Sequence, residues 1–121
     1  MELGMGLHGE PGIRRGRMLT ADEAAAEMLA GILEDFPMEE HDEAAVIVNG
    51  LGATPLSELL IVFRAVHKLL SDKGISICRC YVGNFATSLE MAGCSISLLH
   101  LNPLLKRLIL APAETPALVQ C

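Results

Sequence analysis

Tryptophan is absent from this 121-residue chain, and aromatic residues make up only 3% of it. A core built without large rings must be filled by Leu, Ile, Val, Ala and Met, and a hydrophobic content of 51% supplies them in quantity. No apolar run approaches the roughly 20 residues that a membrane-spanning helix needs. The N-terminus has neither the basic stretch nor the continuous apolar stretch of a secretory signal. A cytoplasmic location with no membrane partner is therefore expected. Positive charge is also scarce. Nine Lys and Arg stand against 15 Asp and Glu, for a net charge of −6, which argues against the cationic face that nucleic acids or anionic membranes require.

Several chemical signatures are missing as well. No G-K-[ST] loop marks a nucleotide site, and no G-x-S-x-G marks a hydrolase elbow. His8-Gly9-Glu10 has the H-x-E spacing of zinc deaminases, but the P-C-x-x-C that must follow is absent. The four cysteines make no C-x-x-C pair, so no metal site is expected. Cys78-Arg79-Cys80 places two thiols on one face of a strand-like segment, and reduced, partly buried thiols are the expectation. From Thr20 to Glu43 the chain carries nine acids and no Lys or Arg. That run reads as a solvated helix face with its loop, or as an acidic docking surface.

What the chain does have is an alternation of strand and helix patterns suited to one domain over residues 1–121. A first strand is predicted over Glu2–His8, followed by a turn at Glu10–Gly12. Thr20 and Glu23 form a capping box for a helix to about Phe36, stopped by Pro37. Ala44–Val48 reads as a strand buried on both faces. Thr54 as cap and Pro55 as first residue open a second helix, which ends at Lys73-Gly74. Ile75–Val82 and Cys94–Leu101 are further strands, with a short helical turn at Leu89–Met91 between them. Asn102-Pro103 opens a last helix over Leu104–Leu110, and the proline-bearing tail reads as extended. This order predicts an α/β layered sandwich with a mixed, largely parallel sheet and flanking helices.

Three predicted strands run into small glycine-bearing loops, at His8-Gly9-Glu10, at Asn49-Gly50-Leu51-Gly52 and at Gly83-Asn84. Ligands of parallel sheets bind beyond the carboxyl ends of the strands, so these loops are the candidate site. Gly4 and Gly6 leave the strand face leading to His8 bare. A neutral imidazole there can act as base, ligand or nucleophile toward a carbonyl, with Glu10 near enough to orient it, or it can simply hydrogen-bond to backbone. Asn49, Gly50 and Gly52 lead into a helix N-terminus, which either binds an anion or makes a tight turn. His41, His67 and His100 read as solvated, structural and rim residues. The methionines are scattered and read as packing.

The blocks "ELGMGLHGEPG", "VNGLGATPLSEL", "YVGNFATSLEMAGCSISLL" and "APAETPAL" together resemble the substrate-binding subunit or domain of dihydroxyacetone kinases, carboxyl-terminal half only. The resemblance reaches from Glu2 nearly to the C-terminus. It implies that His8 bonds covalently to the carbonyl carbon of dihydroxyacetone as a hemiaminal, with Gly9 and Glu10 beside the sugar. It further implies that a separate nucleotide-carrying subunit or domain supplies the phosphoryl group, from ADP or ATP with Mg2+, and that the chain pairs as a homodimer. No cofactor is expected on this chain itself. Family members carry a long N-terminal half, with a histidine and an aspartate that assist transfer. The chain alone is therefore expected to bind rather than turn over, and a non-catalytic sugar-sensing or subunit-pairing relative is the alternative.

Overall fold

The computed structural model describes all 121 residues. At its centre lies β3 (Glu43–Gly50), paired on one side with β4 (Ser76–Gly83) in parallel and on the other with β5 (Cys94–His100) antiparallel. Central position leaves β3 with no free edge, and its apolar run "AAVIV" sends alternate side chains to the two faces of the sheet. Ala44, Val46 and Val48 point into the core, where they meet Leu59, Val66 and Leu70 of α2 (Leu56–Asp72) and Ala25 and Leu29 of α1 (Ala21–Asp35). Each of these larger aliphatic side chains stabilises the fold by about 1.5–3 kcal/mol through burial. Ala45, Ile47 and Asn49 face the other way. Ile47 remains exposed, so that side of the sheet is only partly covered.

The helices start and stop for local reasons. The α1 capping box forms as expected: Thr20 Oγ1 accepts from the Glu23 N–H, and the Glu23 carboxylate accepts from the Thr20 N–H. The α2 terminus ends in paired reverse bonds, with the Gly74 N–H donating to Ser71 O and the Ile75 N–H to Leu70 O, while Gly74 takes φ +74°. That is the glycine-terminated helix stop expected at Lys73-Gly74. The short α3 (Pro103–Leu110) is capped by Asn102, whose Oδ1 accepts from the Leu105 N–H. It leans on β4, and its Lys106 bonds to Glu43 Oε1 at 2.6 Å.

The layered α/β arrangement with a mixed sheet and flanking helices agrees with the pattern. Other details differ. The first strand does not run from Glu2 to His8; β1 is only Glu2–Leu3 and pairs antiparallel with β2 (Arg14–Arg15), a strand the pattern did not reveal. Gly4 takes φ +74°, and side-chain-free residues offer nothing to pack against a sheet, so the alternation ends in a loop. At α2 the cap is Pro55 rather than Thr54, whose hydroxyl donates instead to Gly93 O. Leu89–Met91 is a turn ending in a bridge between Met91 and Gly52, not a helical turn. The tail folds into a small hairpin of β6 (Ala113–Glu114) and β7 (Val119–Gln120), held to the body by Tyr81 Oη and Gln120 Oε1 at 2.7 Å. Cys78 and Cys80 do not share a register: an irregularity between Ala44 and Ala45 makes Cys78 the unpaired residue of β4. Its thiol turns to Glu43 Oε1, 3.2 Å away, while Cys80 is exposed.

Candidate functional site

The parallel strands β3 and β4 end at Gly50 and Gly83, and the loops beyond them do meet. Asn49 joins them. Its Oδ1 accepts from the Phe85 and Ala86 N–H groups at 2.8 and 2.9 Å, and its Nδ2 donates to Ala86 O at 2.7 Å. The side chain is buried and spends its polar atoms on ordering this loop. Gly50 and Gly52 serve the same closure. A Cβ on Gly50 would lie 2.1 Å from Asn84 Oδ1, and one on Gly52 would lie 2.8 Å from Ser88 O, with φ already at +124°. Asn49, Gly50 and Gly52 thus close the loop tightly at the sheet edge.

His8 comes from a separate element, whose base at Met1–Met5 lines one pocket with Leu51, Thr54 and the segment Met91–Cys94. The β1–β2 hairpin projects a loop whose turn is closed by the Gly9 N–H donating to Gly6 O and by the Gly6 N–H donating to Glu10 O. Gly9, at φ +86° and with open space around it, allows the chain to reverse just after His8. The glycine face is not bare. A Cβ on Gly4 would press on Ile13, and one on Gly6 would overlap the Glu10 carboxylate, so these glycines let the loop's two arms close on each other.

Within the turn, Glu10 holds His8 twice. Its Oε2 accepts from the His8 backbone N–H at 3.2 Å, and its Oε1 stands 3.7 Å from Nδ1 of the ring. The Glu10 carboxyl is held below its usual range, chiefly by its own backbone N–H; desolvation opposes this, and the His8 N–H and ring add smaller lowering effects. A negative Glu10 favours a proton on Nδ1 and leaves the lone pair on Nε2. The imidazole is 90% exposed, so nothing in this chain blocks a small electrophile from reaching it.

A pocket of about 550 Å³ opens between the hairpin base, the first turns of α1 and α2 and the segment Met91–Cys94. It does not include His8, Gly9 or Glu10, and most of its lining is apolar. Met1, Met5, Met18, Met28 and Met91 all reach it. Their spacing carries no period, so only the fold brings them together. The remaining histidines stay apart: His67 packs edge-on to Phe63, while His100 lies beside Phe36 and 3.4 Å from Asp42. The basic residues of the first segment are all paired, Arg14 with Glu27, Arg15 with Glu2 and Arg17 with Glu23. No three His, Cys, Asp or Glu side chains gather as a metal site, and no helix is long and apolar enough to cross a membrane.

Comparison with known proteins places this geometry in context. The family model described as the Dak1 domain matches residues 1–117. The chain is 46% identical over 117 residues to a D-erythrulose kinase of Mycolicibacterium smegmatis, covering 97% of this chain and 20% of that protein. It is 40% identical over 116 residues to the dihydroxyacetone-binding subunit of a PTS-dependent dihydroxyacetone kinase of Listeria innocua, covering 96% and 35%. Among solved structures, the dihydroxyacetone kinase operon co-activator Dha-DhaQ superposes with a TM-score of 0.81 at 31% identity, over 90% of this chain and 34% of the other. The chain spans about a fifth to a third of the length of the curated relatives it matches.

Proposed function

The chain belongs to the Dak1 domain family, and from that premise we propose that it forms the sugar-holding part of a kinase for short ketoses such as dihydroxyacetone, with His8 as covalent anchor. The observation that carries this reading is the His8–Glu10 turn. An accessible imidazole has a carboxylate beside its Nδ1.

The chemistry follows from that pairing. Nε2 attacks the ketone carbon and forms a C–N bond, while the C=O π pair moves onto oxygen. The oxygen takes up a proton as Nδ1 releases one toward Glu10 or water, which leaves a neutral hemiaminal. A three- or four-carbon sugar offers too little surface for tight noncovalent binding, and the exposed imidazole encloses nothing. A covalent bond supplies the retention. It also selects ketoses against glycerol, which has no carbonyl to attack. Phosphoryl transfer then requires a nucleotide-carrying subunit or domain, with ADP or ATP and Mg2+, acting on the free hydroxymethyl group. The cytoplasm, where such nucleotides are held, is the fitting location.

A second reading keeps the sugar adduct and drops the transfer: a sensing or pairing protein. The likeness to an operon co-activator favours it. Dihydroxyacetone labelled with carbon-13 at its ketone tests both. The ketone resonance should move to the tetrahedral range with this protein and stay put with His8→Ala, whose stability should change by less than about 0.5 kcal/mol because the side chain is exposed. Turnover with an added nucleotide-carrying kinase subunit then separates kinase from sensor. A ketone resonance unmoved at saturating sugar would contradict both.

A further inference from the structure

Five of the chain's six methionines, Met1, Met5, Met18, Met28 and Met91, line the pocket of about 550 Å³. Only 19 of 121 residues form that wall, so the share is far beyond a proportionate one. Packing alone asks for apolar surface, which leucine supplies as well. What methionine adds is a polarisable thioether sulfur on a side chain with three rotatable bonds. Sulfurs on facing walls can therefore turn toward one point without the backbone moving.

The rest of the wall narrows the donor set. Cys94, partly buried, adds a thiol. No histidine lines the pocket. Its side-chain oxygens are spent or exposed: the Glu2 carboxylate accepts from Arg15 and from the Gly12 N–H, the Thr54 hydroxyl donates to Gly93 O, and Glu58 is exposed. Ca2+ and Mg2+ need oxygen ligands, and Zn2+ takes thiolate, imidazole and carboxylate but not thioether. Thioether and thiolate sulfur together select Cu(I).

We propose that this pocket is a soft-metal site, holding one cuprous ion between methionine thioethers and the Cys94 sulfur. The Cys94 proton leaves to water as the metal–sulfur bond forms, so the net charge is unchanged. Copper stays Cu(I), and no oxidant or reductant takes part. The pocket does not include His8, Gly9 or Glu10, so the site stands or falls separately from the proposed function.

Silver(I), equally soft and of the same charge, is the probe. The full chain carries Cys80→Ser and Cys121→Ser, which remove the two exposed thiols. Carbon-13 NMR follows the methionine ε-methyl groups as silver is added to one equivalent. The Met28 and Met91 signals should shift, while Met38, which packs against the core outside the pocket, stays in place as an internal control. Cuprous ion added without oxygen should move the same signals. Met28→Leu combined with Met91→Leu keeps the volume and the apolar wall but removes two sulfurs. It should weaken silver binding at least tenfold, read by competition with a chromophoric chelator. The methyl signals come from unsubstituted methionines, so they do not depend on that variant folding. Signals unmoved at one equivalent overturn the proposal, as does a Met38 shift equal to the others, or a silver response that cuprous ion fails to reproduce. A leucine variant that binds silver as tightly, as expected of a pocket that only packs apolar polypeptide, overturns it too.

Discussion

Asn49 is the one polar residue among those buried, and it spans the gap between β3 and the loop after β4. Asn49→Ala would strand two N–H groups and one carbonyl near the sheet edge. We expect a loss of about 2 kcal/mol, read as a lower urea midpoint at unchanged slope. The sequence named Asn49 as a loop residue of the candidate site, which is where it sits, but could not say that its amide is consumed internally. That depends on Phe85 and Ala86, more than thirty residues away. His8 was legible differently. Its turn follows from Gly9 and Glu10 beside it, whereas its 90% exposure could be read only from the folded chain. The Glu43–Lys106–Cys78 contact was not legible at all, because a register irregularity in β4 creates it. Burial, with Glu43 second, pushes the Cys78 thiol up.

At the scale of elements, the legible features were those encoded within a few residues. The capping box of α1, the Asn102 cap of α3 and the glycine stop of α2 each rest on contacts between near neighbours, and all three formed. Gly74→Ala should cost about 1 kcal/mol, because an alanine at φ +74° is strained and its Cβ would meet Glu40 Cγ; thermal unfolding measures this. Glu23 carries a pH signature. The Thr20 N–H, then Arg17 and the Thr20 hydroxyl, lower its pKa from 4.5 to about 2. A carboxylate depressed on folding contributes stability above its unfolded value and loses it as pH falls through the folded value. The helix should therefore weaken between about pH 4.5 and 2. Glu23→Gln should remove that part of the acid dependence, as seen by circular dichroism. The β1–β2 hairpin escaped the pattern for the opposite reason: its pairing joins residues a dozen positions apart across a glycine-rich loop, where alternation alone suggested one longer strand.

At the scale of the whole molecule, the Dak1 match takes in the α/β core and the imidazole turn, and the fold gathers a mostly apolar pocket lined by Met1, Met5, Met18, Met28 and Met91. No local pattern announced that pocket, since the spacing of its methionines carries no period. The account as a whole depends on His8 acting as a nucleophile toward a ketose. The most direct test is the nitrogen-15 spectrum of the His8 ring during separate titrations with dihydroxyacetone and glycerol. The account predicts that dihydroxyacetone moves the Nε2 resonance to that of a carbon-substituted imidazole nitrogen while glycerol leaves it in place. An unmoved Nε2, or the same movement with both compounds, would contradict it.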